Sequence, residues 1–245
     1  SLVGSEMCIR DSMDSVTRAR TEELLRRLTR HATPACKKRQ AAKQGLSAPQ
    51  ADGAPLTLIR QLVKGLPRPD QELANALWQT GTHGARQLAV LLADPAAMTP
   101  PQLCRWAETL ETEDVCDLCA AELFSKTKNP LKLAARWVKH PREMTRRAGF
   151  GVVCALAAPR AKTAQADLLK TFALLKNGAA DPSPFVYKTV NKALKMLGKK
   201  NAALQARALD CADEIIYLFE TNHTARWVAQ NARISLQKTG KNHAR

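Results

Sequence analysis

Glu113 and Asp117 stand four residues apart in the run Thr112-Glu113-Asp114-Val115-Cys116-Asp117, so on a helix both carboxylates share one face. Read alone, acids opening a helix are most often solvated residues. Arg146 and Arg147 are adjacent. A planar guanidinium can grip two oxygens of a phosphate, and the plainer alternative is an exposed basic face. Lys188, Lys192, Lys195 and Lys199 recur at helical spacing and can form one stripe, with Lys200 beside it. Lys37, Lys38 and Arg39 form a second basic cluster. Such clusters suit phosphate contacts, although a charge run is also commonly just a solvated face. Cys116 and Cys119 make a C-x-x-C without a second pair or clustered histidines, which reads as buried thiols rather than a zinc or redox site. His83 and His140 have no ligand-like spacing, so no metal and no cofactor are expected.

The composition narrows the partner. Lys plus Arg is 38 against 22 Asp plus Glu, a formal net charge of +16. That excess carries self-repulsion, and a polyanion is its natural complement. With 45% hydrophobic residues, the 245-residue chain has enough apolar material for a sizeable core. No apolar run approaches the roughly 18 residues that span a bilayer, and no secretory pattern is visible. Seven cysteines, an odd number at irregular spacing, read as reduced thiols of a cytoplasmic protein. Ser1 to Ser12, SLVGSEMCIRDS, reads as the translation of a sequencing adapter. The expected organisation is therefore 1–12 as artefact and 13–245 as a single helical-repeat domain.

The elements that must position these side chains are helices. Good helix formers dominate, glycine is sparse, and strand-like runs of β-branched residues are missing. Asp14 to Arg30 is amphipathic, with Val16, Leu24, Leu25 and Leu28 on one face. Ala32 to Gln44 is a basic stretch, and Gly45 to Pro55 reads as a loop. Helix-sized segments then follow near 56–65, 70–80, 82–93, 99–110, 112–125, 129–139, 142–158, 163–176, 183–198, 201–218 and 222–237. Prolines fall between them, and Asp70, Thr99, Ser183 and Thr221 stand where N-caps are wanted. Trp78, Trp106, Trp137 and Trp227 lie in apolar stripes and are expected in the core. Paired helices recurring at roughly 30–40 residues predict an all-α chain, an α-solenoid (superhelix) of HEAT-like antiparallel helix pairs, with an irregular bundle as the alternative.

Five segments in order resemble the DNA alkylation repair family of HEAT-like, AlkD-like alkylpurine DNA glycosylases. They are Glu72–Pro95, Leu103–Phe124, Ala135–Ala157, Pro184–Asn201 and Thr224–Gln237. The resemblance implies a basic concave face that holds duplex DNA. It also implies hydrolysis of the N-glycosidic bond of cationic N3- or N7-alkylated purines without metal or cofactor. Asp117 matches the family's catalytic aspartate, which steadies an oxocarbenium-like sugar and helps position water. Arg147, in Thr-Arg-Arg-Ala-Gly-Phe, matches its arginine near the lesion. Arg146, Lys188, Lys195, Lys199 and Lys200 join the expected DNA contacts.

Two positions depart from the pattern. The family has tryptophan four residues before the aspartate, where this chain has Glu113, and tryptophan in Val-Asn-Trp-Ala-Leu, where it has Lys192. Neither side chain offers a π-face to a cationic lesion. If Lys192 faces the acids across the cleft, it can pair with either and partly neutralise Asp117. Three readings follow: a monomeric, cytoplasmic and nucleoid-associated glycosylase; a catalytically weakened relative that only binds DNA; and a HEAT-like scaffold for protein partners.

Overall fold

The structure, a computed structural model, describes residues 14–243 apart from His31 and Ala48. The adapter-like segment lies outside the described residues. Among the described residues every regular element is helical. The α-helices are α1 (Ser15–Thr29), α2 (Pro34–Gln44), α3 (Leu56–Lys64), α4 (Gln71–Gln79), α5 (His83–Leu92), α6 (Pro100–Glu108), α7 (Glu113–Glu122), α8 (Pro130–Trp137), α9 (Glu143–Ala157), α10 (Gln165–Gly178), α11 (Pro184–Gly198), α12 (Ala202–Leu218) and α13 (His223–His243). A 3-10 turn, Phe124–Lys126, follows α7. Every segment expected from residue 56 onward is present within a few residues. The chain divides into two compact units, one ending at Thr99 and the other beginning at Pro100.

In the first unit, local chemistry sets the helix ends. Asp14 accepts from Thr17 N at 2.6 Å and starts α1. Pro34 occupies the first turn of α2, and Gly45 at φ 66° ends it in the left-handed conformation that glycine adopts without steric cost. Asp70 caps α4 through Leu73 N at 3.1 Å. The buried face of α1 is Thr17, Thr21, Leu24 and Leu28, whereas Val16 is 64% exposed. The expected apolar face was thus one residue out of register at its start. Thr21 joins the interior because its hydroxyl donates to Thr17 O at 2.8 Å. The basic stretch forms a helix, α2, that buries none of its residues fully. Buried Asp52 accepts from Gly84 N at the start of α5, and a Cβ at Gly84 would lie 2.6 Å from its Oδ2.

The second unit is built in two rows. Helices α7, α9, α11 and α13 pack in series, and α8, α10 and α12 form a second row behind them. From α8 onward consecutive helices also pack on one another, as members of helical pairs do. Central α9 is buried along nearly its whole length, from Met144 to Ala157. Close packing there depends on missing side chains. A Cβ at Gly149 would sit 2.9 Å from Val138 N, and one at Gly151 would sit 2.9 Å from Ala120 Cβ. Phe124 and Trp137 meet edge to face at 4.8 Å in the core.

Three local expectations change. Asn222, not Thr221, caps α13, accepting from Ala225 N at 2.9 Å. Ser183 precedes α11 but makes no cap bond; its hydroxyl donates to Glu143 Oε2 at 2.6 Å. Trp78, Trp106 and Trp137 are buried, but Trp227 is 43% exposed. On α13 the interior is filled by Ala225, Val228, Ala229, Ala232 and Leu236, and Trp227 falls just off that stripe.

Candidate functional site

Three neighbouring helices of the second unit, α7, α9 and α11, each bring charged side chains to one cluster. Arg147 of α9 is its hub, with only 7% of its side chain exposed. One guanidinium nitrogen, Nη1, lies 2.9 Å from Glu113 Oε2 and donates to Phe185 O at 2.8 Å. The other, Nη2, donates to Asp117 Oδ1 at 2.9 Å. Lys192 of α11 then reaches the second carboxylate oxygen, with Nζ 3.4 Å from Asp117 Oδ2. The four groups form a continuous chain, Glu113–Arg147–Asp117–Lys192, of two anions and two cations. A guanidinium this deeply placed needs such partners, because an unpaired buried charge is costly.

The site's local sequence explains its shape. Glu113 lies in the first turn of α7, where an acid is favoured by the helix dipole, and Asp117 follows one turn later on the same face. Lys192 does cross to an acid, but its partner is Asp117, while Glu113 faces Arg147.

Beside Asp117 and Lys192 lies a small cleft of about 170 Å³, floored by Ala120, Gly151, Cys154 and Ala155. Cys154 is buried at its base, and burial pushes the thiol up to about 12. Cys116 is raised to about 12 for the same reason, with the nearby Arg147 charge acting in the opposite direction. Both are protonated packing groups at neutral pH, and Cys119 is buried as well. Among the described residues no group of three or more His, Cys, Asp or Glu side chains could hold a metal ion.

The remaining expected contacts separate into two sets. Arg146 does not join Arg147. Its Nε and Nη2 donate to Asp181 at 2.7 and 3.2 Å, and its Nη1 donates to His140 O and Pro141 O. It braces the connections before α9 and α11. Lys200 is likewise engaged, donating to Ala158 O and Ala161 O at 3.0 Å each, where it closes the end of α9. Lys188, Lys192 and Lys199 are exposed, and Lys195 is half-buried with its Nζ 3.1 Å from Asn231 Oδ1 of α13. Burial, then the neighbouring Lys199 charge, lowers the Lys195 pKa. At about 3.6 residues per turn, these four lysines fall within an arc of roughly 60°. The Phe185 carbonyl and the Gly151 floor were not foreseen. A backbone acceptor carries no residue-type signal, and a helical glycine reads first as a defect in helix propensity.

Comparison with known proteins supplies the frame for this geometry. One similar solved structure is described as a new family of proteins related to the HEAT-like repeat DNA glycosylases with affinity for branched DNA structures. It is 19% identical, with a TM-score of 0.72, covering 91% of this chain and 94% of that one. At that identity the likeness is one of fold, and the fold is HEAT-like. A designed armadillo repeat protein, 16% identical over 80% of this chain and 98% of its own, has a TM-score of only 0.35. No curated protein matches. The family described as DNA alkylation repair enzyme matches residues 23–236, most of the sequence and the whole charged cluster, and the chain belongs to that family.

Proposed function

We propose that this protein is a DNA-binding member of the DNA alkylation repair family in which excision of cationic alkylpurines is weakened. The observation that carries the reading is the state of Asp117. One of its oxygens is held by Arg147 and the other faces Lys192, so no free negative charge stands ready for a sugar cation. An ammonium at that position also opposes a positively charged base by simple repulsion. The binding half of the reading rests on the +16 charge and on the α11 lysines. Among the described residues, Lys188 and Lys199 have no carboxylate partner and are available to phosphates.

A retained glycosylase is the second reading, and one observation favours it. The Asp117 side chain is 38% exposed, and its contact with the 55% exposed Lys192 is long at 3.4 Å. A lysine on a flexible stem can leave when DNA phosphate offers a better partner. Release of 7-methylguanine and 3-methyladenine from methylated duplex DNA decides between them, with Asp117→Asn as control. Tight, salt-dependent binding with release no faster in the parent than in the control is the expected result. Rapid release abolished by Asp117→Asn would overturn it in favour of the glycosylase.

A further inference from the structure

Trp227 is an exposed aromatic side chain of the second unit. It is the one tryptophan of the chain that is not buried, and nothing in the charged cluster uses it. Its indole meets the Tyr187 ring of α11 at 5.5 Å and an interplanar angle of 75°. An edge-on contact of this kind fixes an aromatic ring without covering it. One turn further along α13, Asn231 is bound to Lys195 of the lysine stripe. The aromatic pair therefore lies along the same α11–α13 seam as Lys195. Lys188 follows Tyr187 in sequence, exposed Arg226 precedes Trp227, and Ile234, two turns on from Trp227, is 55% exposed.

We infer that the Trp227–Tyr187 pair is a stacking platform for an unpaired nucleobase, set beside phosphate-binding lysines of α11. The occupant follows from the chemistry. The Trp227 ring, held edge-on by Tyr187, offers a π-face to any base, while the flanking cations suit the phosphates on either side of it. In a continuous duplex the bases are stacked on each other and do not present their faces, so the platform selects nucleic acid carrying a gap, a flap or a single strand. An apolar protein partner is disfavoured by the surrounding positive charge, which such a partner would have to desolvate. The inference rests on the DNA-binding reading above.

Tryptophan fluorescence tests it, because Trp78, Trp106 and Trp137 are buried and Trp227 is the residue a base can reach. The full chain is titrated with a continuous duplex and with the same duplex carrying a gap of a few thymidines. Saturable quenching with the gapped DNA, smaller with the duplex, is the expected result. Trp227→Ala should weaken gapped-DNA binding about tenfold, the scale of one base–aromatic stack, while leaving duplex binding and its salt dependence within about twofold. Trp227→Phe should restore most of the loss, which separates stacking from any structural defect. Equal effects of Trp227→Ala on both DNAs, or none on either, would overturn the platform and leave the DNA-binding reading intact. No binding of either DNA at low salt would remove both.

Discussion

Arg147 and Asp117, 30 residues apart in sequence, are joined by an Nη2–Oδ1 hydrogen bond of 2.9 Å. The same guanidinium also holds Glu113 and the Phe185 carbonyl. One side chain of α9 thus ties α7 to α11, and the carboxylate that the family pattern marks for catalysis is an integral part of that tie. The stability of the helix packing is coupled at this point to the placement of Asp117.

The coupling predicts a stability cost. Arg147→Ala removes the donors from two carboxylates and one buried-edge carbonyl. Both acids are partly exposed and can rehydrate, so the loss should be about 1–3 kcal/mol rather than that of a fully buried pair. Arg147→Lys should recover only part of it, since an ammonium cannot bridge the three acceptors with the same fork. Thermal or urea unfolding of the two variants checks both values.

Replacing the departing residues should move activity in a defined direction. Glu113→Trp with Lys192→Trp restores two π-faces and removes the ammonium from Asp117. Release of 7-methylguanine should rise about tenfold over the parent, the scale of a desolvated cation–π contact. Adding Asp117→Asn should abolish the gain. A double variant as slow as the parent would mean that another feature limits the chemistry.

The α11 stripe makes a quantitative claim about salt. Lys188→Ala, Lys195→Ala and Lys199→Ala together should weaken duplex binding and flatten the plot of log affinity against log salt by about three units if all three reach phosphates. Lys200→Ala should leave that slope unchanged and instead lower stability, because its ammonium is bound to the carbonyls after α9. Fluorescence anisotropy across a salt series measures the slope.

The buried thiols should show their environment through pH. Burial raises Cys116 and Cys154 to about 12 and Cys211 to about 11, from an ordinary 9.0. The folded state favours the neutral thiol and the unfolded state ionises first. Their stabilising contribution is therefore complete below pH 9 and declines as pH rises toward 11–12. At pH 8 iodoacetamide should label Cys36, whose pKa is lowered chiefly by the Thr33 side chain, well before Cys154 or Cys116. Mass spectrometry of the native and unfolded protein reads the order.

Much of this protein is legible in the order of its residues. The helices from residue 56 onward, the prolines between them and the cap at Asp70 are local matters, settled by periodicity and by backbone groups that a nearby side chain satisfies. The net charge and the spacing of Lys188, Lys192, Lys195 and Lys199 are equally local. So is the family pattern that singles out Asp117, Arg147, Glu113 and Lys192. The tertiary structure decided which charges meet. Arg146 and Arg147 are adjacent and chemically identical, yet their directions differ by about 100° on α9. One ends on Asp181 and the other on Asp117 and Glu113. The same holds for Lys192 and Lys200, and for Trp227, whose exposure depends on alanines and leucine of α13 filling the core without it. Residue type sets what a side chain can do. Only the packing of helices against one another, close at Gly149 and Gly151, sets what it faces.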